Sequence, residues 1–399
     1  VQLQAFCDKQ RNVMALERIY LDHNATAPLL PAVLSAMVGA FDLPGNASSI
    51  HAEGRAARAA VEQARAQVAG LMGVRSRDIT FTSGGTEAAN LVLSPALSDG
   101  GKPLTRLLVA AGEHACVLQG HRFQPDAVQI VPLKADGQLD FVALKTLLAQ
   151  GDGGRVLLAL QAANNETGVL QPVAEAAALV HEAGGLLVCD AVQAAGRIPL
   201  QGLGADALFI SAHKIGGPKG MGALAFTNTR LHISGGALVK GGGQEKGLRA
   251  GTENVAGIVG FGAAATQAVG QGHMAGLEVL RDRLEADVAR RMADAVFFGQ
   301  GVARLPQTSS FSVPGMSAET LLIALDLAGI AVSSGSACSS GKVQPSHVLL
   351  AMGVEPDLAK GALRVSLGAE NTDRDIEAFC EALDKSVRNI RARSQMSAA

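Results

Sequence analysis

The sequence predicts an α/β protein, with a large domain built on a mostly parallel sheet and a smaller α+β domain after it. Three observations carry that expectation. Short apolar runs of strand length recur at ITFT (79–82), LLVAA (107–111), VLLAL (156–160), LLVCD (186–190) and ALFIS (207–211). The runs are continuous rather than alternating, the pattern of strands buried on both faces. Ala-rich amphipathic stretches separate them, and strands that alternate with helices build sheets covered by helices. With 47 glycines and only 3% aromatic residues, tight turns and close backbone approaches are expected.

Taken in order, residues 1–24 read as an N-terminal extension, dispensable before about Met14, and a segment joining the small domain. Its scattered charges and lack of an apolar h-region exclude a secretory signal. Residues 25–262 form the large domain. The uncharged run from 254 to 276 contains six glycines, which suits a small-residue helix packed inside the protein and not a membrane span. From about residue 263 the chain turns amphipathic and ends that stretch with LEVLRDRLEADVARRMADAV, a helix leaving the first domain. Residues 263–399 thus comprise this interdomain helix and a small C-terminal domain. That domain would hold SSFSV (309–313), a helix from about Ala318, a strand leading into Ser333, a loop with Cys338, the strand ALRVSL (362–367) and a C-terminal helix.

A chain of 399 residues with 48% hydrophobic and 18% charged residues has an ordinary globular balance. Its formal charge of −2 speaks against nucleic acid or an anionic membrane as partner, since both need clustered basic side chains. Cys7, Cys116, Cys189, Cys338 and Cys380 are odd in number, widely spaced and form no CxxC pair. Neither a disulfide framework nor a zinc site is signalled, and reduced thiols in the cytoplasm are expected.

Ligands of open α/β sheets bind beyond the carboxyl ends of the strands, and here those ends are strongly polar. ITFT runs into SGGTEAAN, LLVAA into GEHACV, VLLAL into QAANNETG, LLVCD ends in Asp190 ahead of Gln193, and ALFIS runs into AHKIGGPKG. One sheet edge therefore gathers Gly85 and Thr86 at a helix start, His114, Asn165, Asp190, and Ser211, His213 and Lys214. A lysine held on a Gly/Pro-rich turn can form a Schiff base with an aldehyde. Pyridoxal phosphate needs such a lysine, an acid for its ring nitrogen and a phosphate cup. Lys214, Asp190 and the Gly85–Thr86 turn answer those needs, the last through backbone N–H groups at a helix N-terminus. Each has a plainer reading alone: Lys214 as a surface lysine, Asp190 as a helix cap, the glycines as a turn, Asn165 as turn chemistry. Their arrival on consecutive strand ends is what points to a site. GGPKGMG lacks the glycine spacing of a dinucleotide loop, and no Walker A, HExxH or GxSxG motif is present.

The segments YLDHNATAP, GNASSIHAEGR, FTSGGTEAANL, NNETG, CDAVQAAG, SAHKIGGPKGMGAL, GGGQEKGLRAGTEN and SSGSACSSG together resemble the cysteine desulfurases of the class V aminotransferase family, over nearly the whole chain from about Tyr20. The long Ser/Gly loop around Cys338 is similar to the group that serves iron–sulfur cluster assembly. The resemblance implies PLP-dependent fold type I and the conversion of L-cysteine to L-alanine, with sulfur left as a persulfide on Cys338. It implies Lys214 as the lysine that holds the cofactor aldehyde, His114 stacked on the ring, Asp190 at its nitrogen and Gln193 at its hydroxyl. Gly85, Thr86, Ser211 and His213 would hold the phosphate, and Thr252 would reach the phosphate of a neighbouring subunit, which implies a homodimer. Asn165 and Arg364 would hold the substrate carboxylate, and a sulfur-acceptor protein such as an iron–sulfur scaffold would take the product sulfur. A selenocysteine lyase or an aminotransferase of the same family is the alternative. Two departures stand out: Gly216 where many relatives carry a bulkier residue, and Lys246 in the QEKG loop.

Overall fold

The computed structural model describes residues 18–150, 154–269, 274–334 and 344–398. A seven-stranded sheet organises the larger part. Its strands are β1 (Ile79–Thr82), β2 (Leu104–Ala110), β3 (Val128–Val131), β4 (Arg155–Gln161), β5 (Leu186–Asp190), β6 (Ala207–Ser211) and β7 (Gly222–Phe226). They lie in the order β1-β7-β6-β5-β4-β2-β3. β7 runs antiparallel to both β1 and β6, while the ladders from β6 across to β3 are parallel. The carboxyl ends of β1, β2, β4, β5 and β6 consequently share one edge.

All five apolar runs are strands, and β1, β5 and β6 coincide with them residue for residue. Two strands of this sheet went unanticipated. VQIV of β3 is half-exposed at the sheet margin, and GALAF of β7 is poor in β-formers. Burial decides the second case, because every residue of β7 is covered between its two neighbours. β6 shows why the runs are continuous: Leu208 and Ile210 enter one core, Ala207 and Phe209 the other. Burial of one such large side chain is worth about 1.5–3 kcal/mol.

Helix Ala52–Met72 covers one face, with helix Val255–Val269 packed on it. The second is the small-residue helix expected from the uncharged run; its alanines and glycines let the two backbones approach, and a Cβ on Gly262 would lie 2.7 Å from Ala64 Cα. It packs against helix Ala52–Met72, and the described residues beyond it include the helix Met274–Arg291.

In the smaller part, β8 (Val296–Phe297), β9 (Thr308–Ser312) and β10 (Leu363–Ser366) form an antiparallel sheet. Helices Met274–Arg291, Ala318–Leu327 and Asp373–Ala398 accompany it. Leu21, Leu284, Phe311, Leu321 and Phe379 share its core. The N-terminal segment is stitched to this part, since Ile19–Tyr20 pairs with Ile330–Ala331. A buried carboxylate locks it further: Glu285 accepts two bonds from Arg304, at 2.8 and 3.1 Å, and one from Ser309 at 2.8 Å. Among the described residues no helix is long and apolar enough to cross a membrane.

Candidate active site

The phosphate-type turn is built where β1 meets the Gly85–Val92 helix. Gly84 is the N-cap, and no side chain caps the helix, so its first amides remain available to an anion. The turn presses against the start of β7: a Cβ on Gly222 would lie 2.5–2.8 Å from Gly84 backbone atoms, a separation that only glycine tolerates. Thr86 opens this helix. Ser211, buried at the end of β6, has only a long 3.5 Å contact from its hydroxyl to the Met221 carbonyl, which leaves the hydroxyl available to a ligand.

Lys214 follows on the short 3-10 turn Ala212–Lys214. Its Nζ donates to the carbonyls of Asn24 at 2.6 Å and Ala25 at 2.9 Å. Burial, then the Arg364 and Arg197 guanidiniums, push its pKa down to about 8, so a substantial fraction is free amine near neutrality. His213 meets the Thr26 hydroxyl at 3.2 Å, and burial with the charge of Lys214 lowers it to about 4. Asp190, at the tip of β5, accepts from the Val192 amide at 2.9 Å. Burial raises it to about 6, opposed by Val192 and by Lys214; at neutral pH it is still mostly an anion.

His114 caps a single helical turn, its Nδ1 accepting from the Cys116 amide at 3.1 Å. That assigns the proton of the neutral ring to Nε2. The residue is exposed, yet partial desolvation, then Lys214 and His347, lower its pKa. Arg364, on β10, is buried. It donates to the Asp22 carboxylate at 2.7 Å and the Asn165 carbonyl at 3.1 Å, while its Nε is buried without a partner. Gln193 is engaged already: its Nε2 donates to the Asn24 carbonyl at 3.0 Å and its Oε1 accepts from Arg197.

The sequence reading missed the piece that gathers these groups. Residues 22–26, DHNAT, touch Arg364, Lys214, Gln193 and His213, and Asn24 Nδ2 also reaches the Asn165 carbonyl at 3.2 Å. They lie in the segment YLDHNATAP that carries part of the family resemblance, but no role was assigned to them there. Two further groups were also missed, half-buried Arg197 and buried Glu113. Arg197 donates to the Gln193 carbonyl at 2.8 Å and the Lys214 carbonyl at 3.3 Å. Glu113, next to His114, is fully buried; its Oε1 accepts from the Gln161 amide at 2.5 Å and its Oε2 has no partner. Burial and then the charge of Asp190 push the Glu113 carboxyl well above the usual range.

Cys338 and Cys7 lie outside the described residues. Both flanks of the Cys338 segment are nevertheless tied to this edge. Ser333 exchanges backbone hydrogen bonds with Arg364, at 3.2 and 2.7 Å. On the far side Ser346 donates to Glu166 at 2.5 Å, and His347 Nε2 meets the Glu113 carbonyl at 2.9 Å. Thr252 stands apart, exposed on the loop before Val255–Val269. Gly216 lies at φ +74°, where a Cβ would sit 2.6 Å from Leu30, so its small size follows from its backbone and its neighbour.

These donors fit pyridoxal phosphate. A depressed lysine amine, an anionic carboxylate, an exposed imidazole, an uncapped helix N-terminus and an almost unpartnered serine hydroxyl are the kinds of group that an aldehyde, a ring nitrogen, a ring face and a phosphate require.

Residues 19–379 match the family model for class-V aminotransferases. The chain is 43% identical to a cysteine desulfurase of Cereibacter sphaeroides, over 96% of this chain and 99% of that protein. It is 38% identical to an IscS-like cysteine desulfurase of Mycobacterium tuberculosis, over 95% and 98%. Among solved structures, a NifS-like protein from Rickettsia africae superposes with a TM-score of 0.83 at 37% identity, covering 93% of this chain and 100% of that one.

Proposed function

The chain belongs to the class-V aminotransferase family, and on that premise we propose that it is a PLP-dependent cysteine desulfurase that leaves sulfur on Cys338. The observation that carries the reading is the pairing of a lysine amine near pKa 8 with a buried anionic aspartate at one sheet edge, beside an arginine aimed there from the other sheet. Bound there, PLP supplies an electron sink for the pair left at the substrate α-carbon.

The residues divide the remaining work. Gly85, Thr86, Ser211 and His213 hold the phosphate, Asp190 keeps the ring nitrogen protonated, Gln193 serves the ring hydroxyl and His114 covers the ring face. Arg364 and Asn165 hold the substrate carboxylate, Arg364 as a fork already oriented by Asp22. Lys214, as free amine, removes the α-proton. The thiolate of Cys338 then attacks the substrate sulfur: an S–S bond forms, the C–S bond breaks, the β-carbon keeps the electron pair and is protonated, and Lys214 returns a proton to the α-carbon to give L-alanine. His114 carries its proton on Nε2, which suits it to donate to the β-carbon.

The Cys338 segment supports this division. Cys338 is four positions beyond Ser334, an extended reach of about 13 Å, and the anchors of its segment adjoin Arg364, Glu166 and Glu113. A thiol so tethered can serve the pocket and then a sulfur-acceptor protein such as an iron–sulfur scaffold. We also propose a homodimer. Leu29, Leu34, Val38, Phe41 and Ile50 are all exposed within one short stretch, Ile50 at 89%, and such apolar surface favours association. In the dimer Thr252 completes the partner's phosphate site. Free thiols at Cys116, Cys189 and Cys380 suit the reducing cytoplasm.

The test is alanine release from L-cysteine by protein loaded with PLP. The wild type releases alanine, Lys214→Ala does not, and a keto acid in place of alanine would assign the site to transamination instead.

A further inference from the structure

Glu245 (φ +46°) and Lys246 (φ +58°) are the only non-glycine residues with positive φ among the described residues, and they are consecutive. Two side chains in left-handed backbone cost energy at each step, so something must hold them there. The holder is Arg65, from helix Ala52–Met72. Its Nη1 and Nη2 donate to the two oxygens of Glu245, both at 2.8 Å, and the two side chains are only 9% and 4% exposed. The Phe81 amide at the end region of β1 adds a third donor to Glu245 at 2.8 Å, and Arg65 lies over the Phe81 ring at 4.7 Å. Downstream of the kink, Gly251 N donates to Gln244 Oε1 at 3.2 Å. Arg249 reaches Glu87 at 3.3 Å, in the first turn of the Gly85–Val92 helix. The kink therefore fixes the path of the chain from Gln244 to the exposed Thr252.

We propose that Arg65 is a positioning residue for a site shared by two chains: by gripping Glu245 it maintains the kink and presents Thr252 to the phosphate end of the other copy's cofactor site. This rests on the homodimer reading above. Arg65 itself touches neither cofactor nor substrate. Its effect is a population effect, because a loop that adopts the competent shape only part of the time weakens apparent affinity by that fraction.

The experiment uses the full chain, with cofactor affinity from absorbance titration and subunit mass from light scattering. Arg65→Met is expected to remain a dimer and to bind PLP more weakly by about tenfold or more. Lys246→Gly, which relaxes left-handed backbone, is expected to recover part of that loss in the Arg65→Met background. A role in fold stability alone would lower the melting temperature and leave PLP affinity unchanged; that result overturns the proposal. If Arg65→Met does not fold, Glu245→Gln keeps the shape of the pair and must weaken PLP binding in the same direction. Thr252→Val separates the two ideas. If it binds PLP as the wild type does, or the wild type has the mass of one chain, the shared-site reading fails. If Thr252→Val weakens binding and Arg65→Met does not, the clamp alone is wrong.

Discussion

Removal of the Arg364 charge should disarm Lys214. The amine pKa is about 8 against an ordinary 10.5, with burial the largest cause and Arg364 the next. That displacement corresponds to about 3 kcal/mol against the charged form, and at pH 7.5 it makes about a quarter of the amine neutral where an ordinary lysine would show about one part in a thousand. Arg364→Met removes the cation with the larger effect and leaves Asp22 and Asp190 to favour the ammonium, so the pKa moves from about 8 toward 10.5. Each unit of that movement removes free amine about tenfold. The assay is a pH titration of cofactor-free protein carrying 13C-dimethylated lysines, followed by NMR, with the Lys214 signal assigned by its loss in Lys214→Ala. A wild-type midpoint at the ordinary value would show that Lys214 is not depressed. An Arg364→Met midpoint that stays in place or falls would show that Arg364 does not depress it.

Glu113→Gln is expected to stabilise the protein above about pH 5 in chemical denaturation. The folded pKa of Glu113 is raised, so folding keeps a proton that the unfolded chain loses, and the penalty grows as pH climbs above the unfolded value and vanishes below it; equal stability at pH 8 would contradict this. Glu285→Ala should cost about 3–5 kcal/mol, because Arg304 is left buried and unpaired. The depressed pKa of Glu285 places its contribution above the unfolded carboxyl range, and it is lost as pH falls through the folded value, so the variant should lose least at low pH. Gly222→Ala should weaken PLP binding measured by absorbance, since the new methyl can be housed only by moving the Gly84 backbone; unchanged affinity would show that the turn is not the phosphate cup.

The strands that end at the site were legible because each is buried on both faces and so is apolar throughout, with its polar tip exposed by contrast. β7 was not, because GALAF owes its extended form to two neighbouring strands and not to its own side chains. Lys214 and Asp190 could be placed on one edge from strand order alone. The segment that joins them to Arg364 could not: Asp22 and Arg364 lie 342 positions apart, and Asn24 and Lys214 lie 190 apart. The same holds for Arg65 and Glu245, 180 positions apart, whose partnership no local pattern announces. Glu113 was overlooked beside a more conspicuous histidine, and only its complete burial gives it meaning.

In the proposed mechanism the lysine site and the tethered thiol act on one substrate. Mass spectrometry of protein exposed briefly to L-cysteine, with alanine measured in the same sample, tests it most directly. The wild type is expected to carry one extra sulfur atom on the peptide containing Cys338, and Cys338→Ala, which should still bind PLP, to show neither that sulfur nor alanine. Alanine formed at the wild-type rate by Cys338→Ala, or the added sulfur found on Cys116 instead, would contradict it.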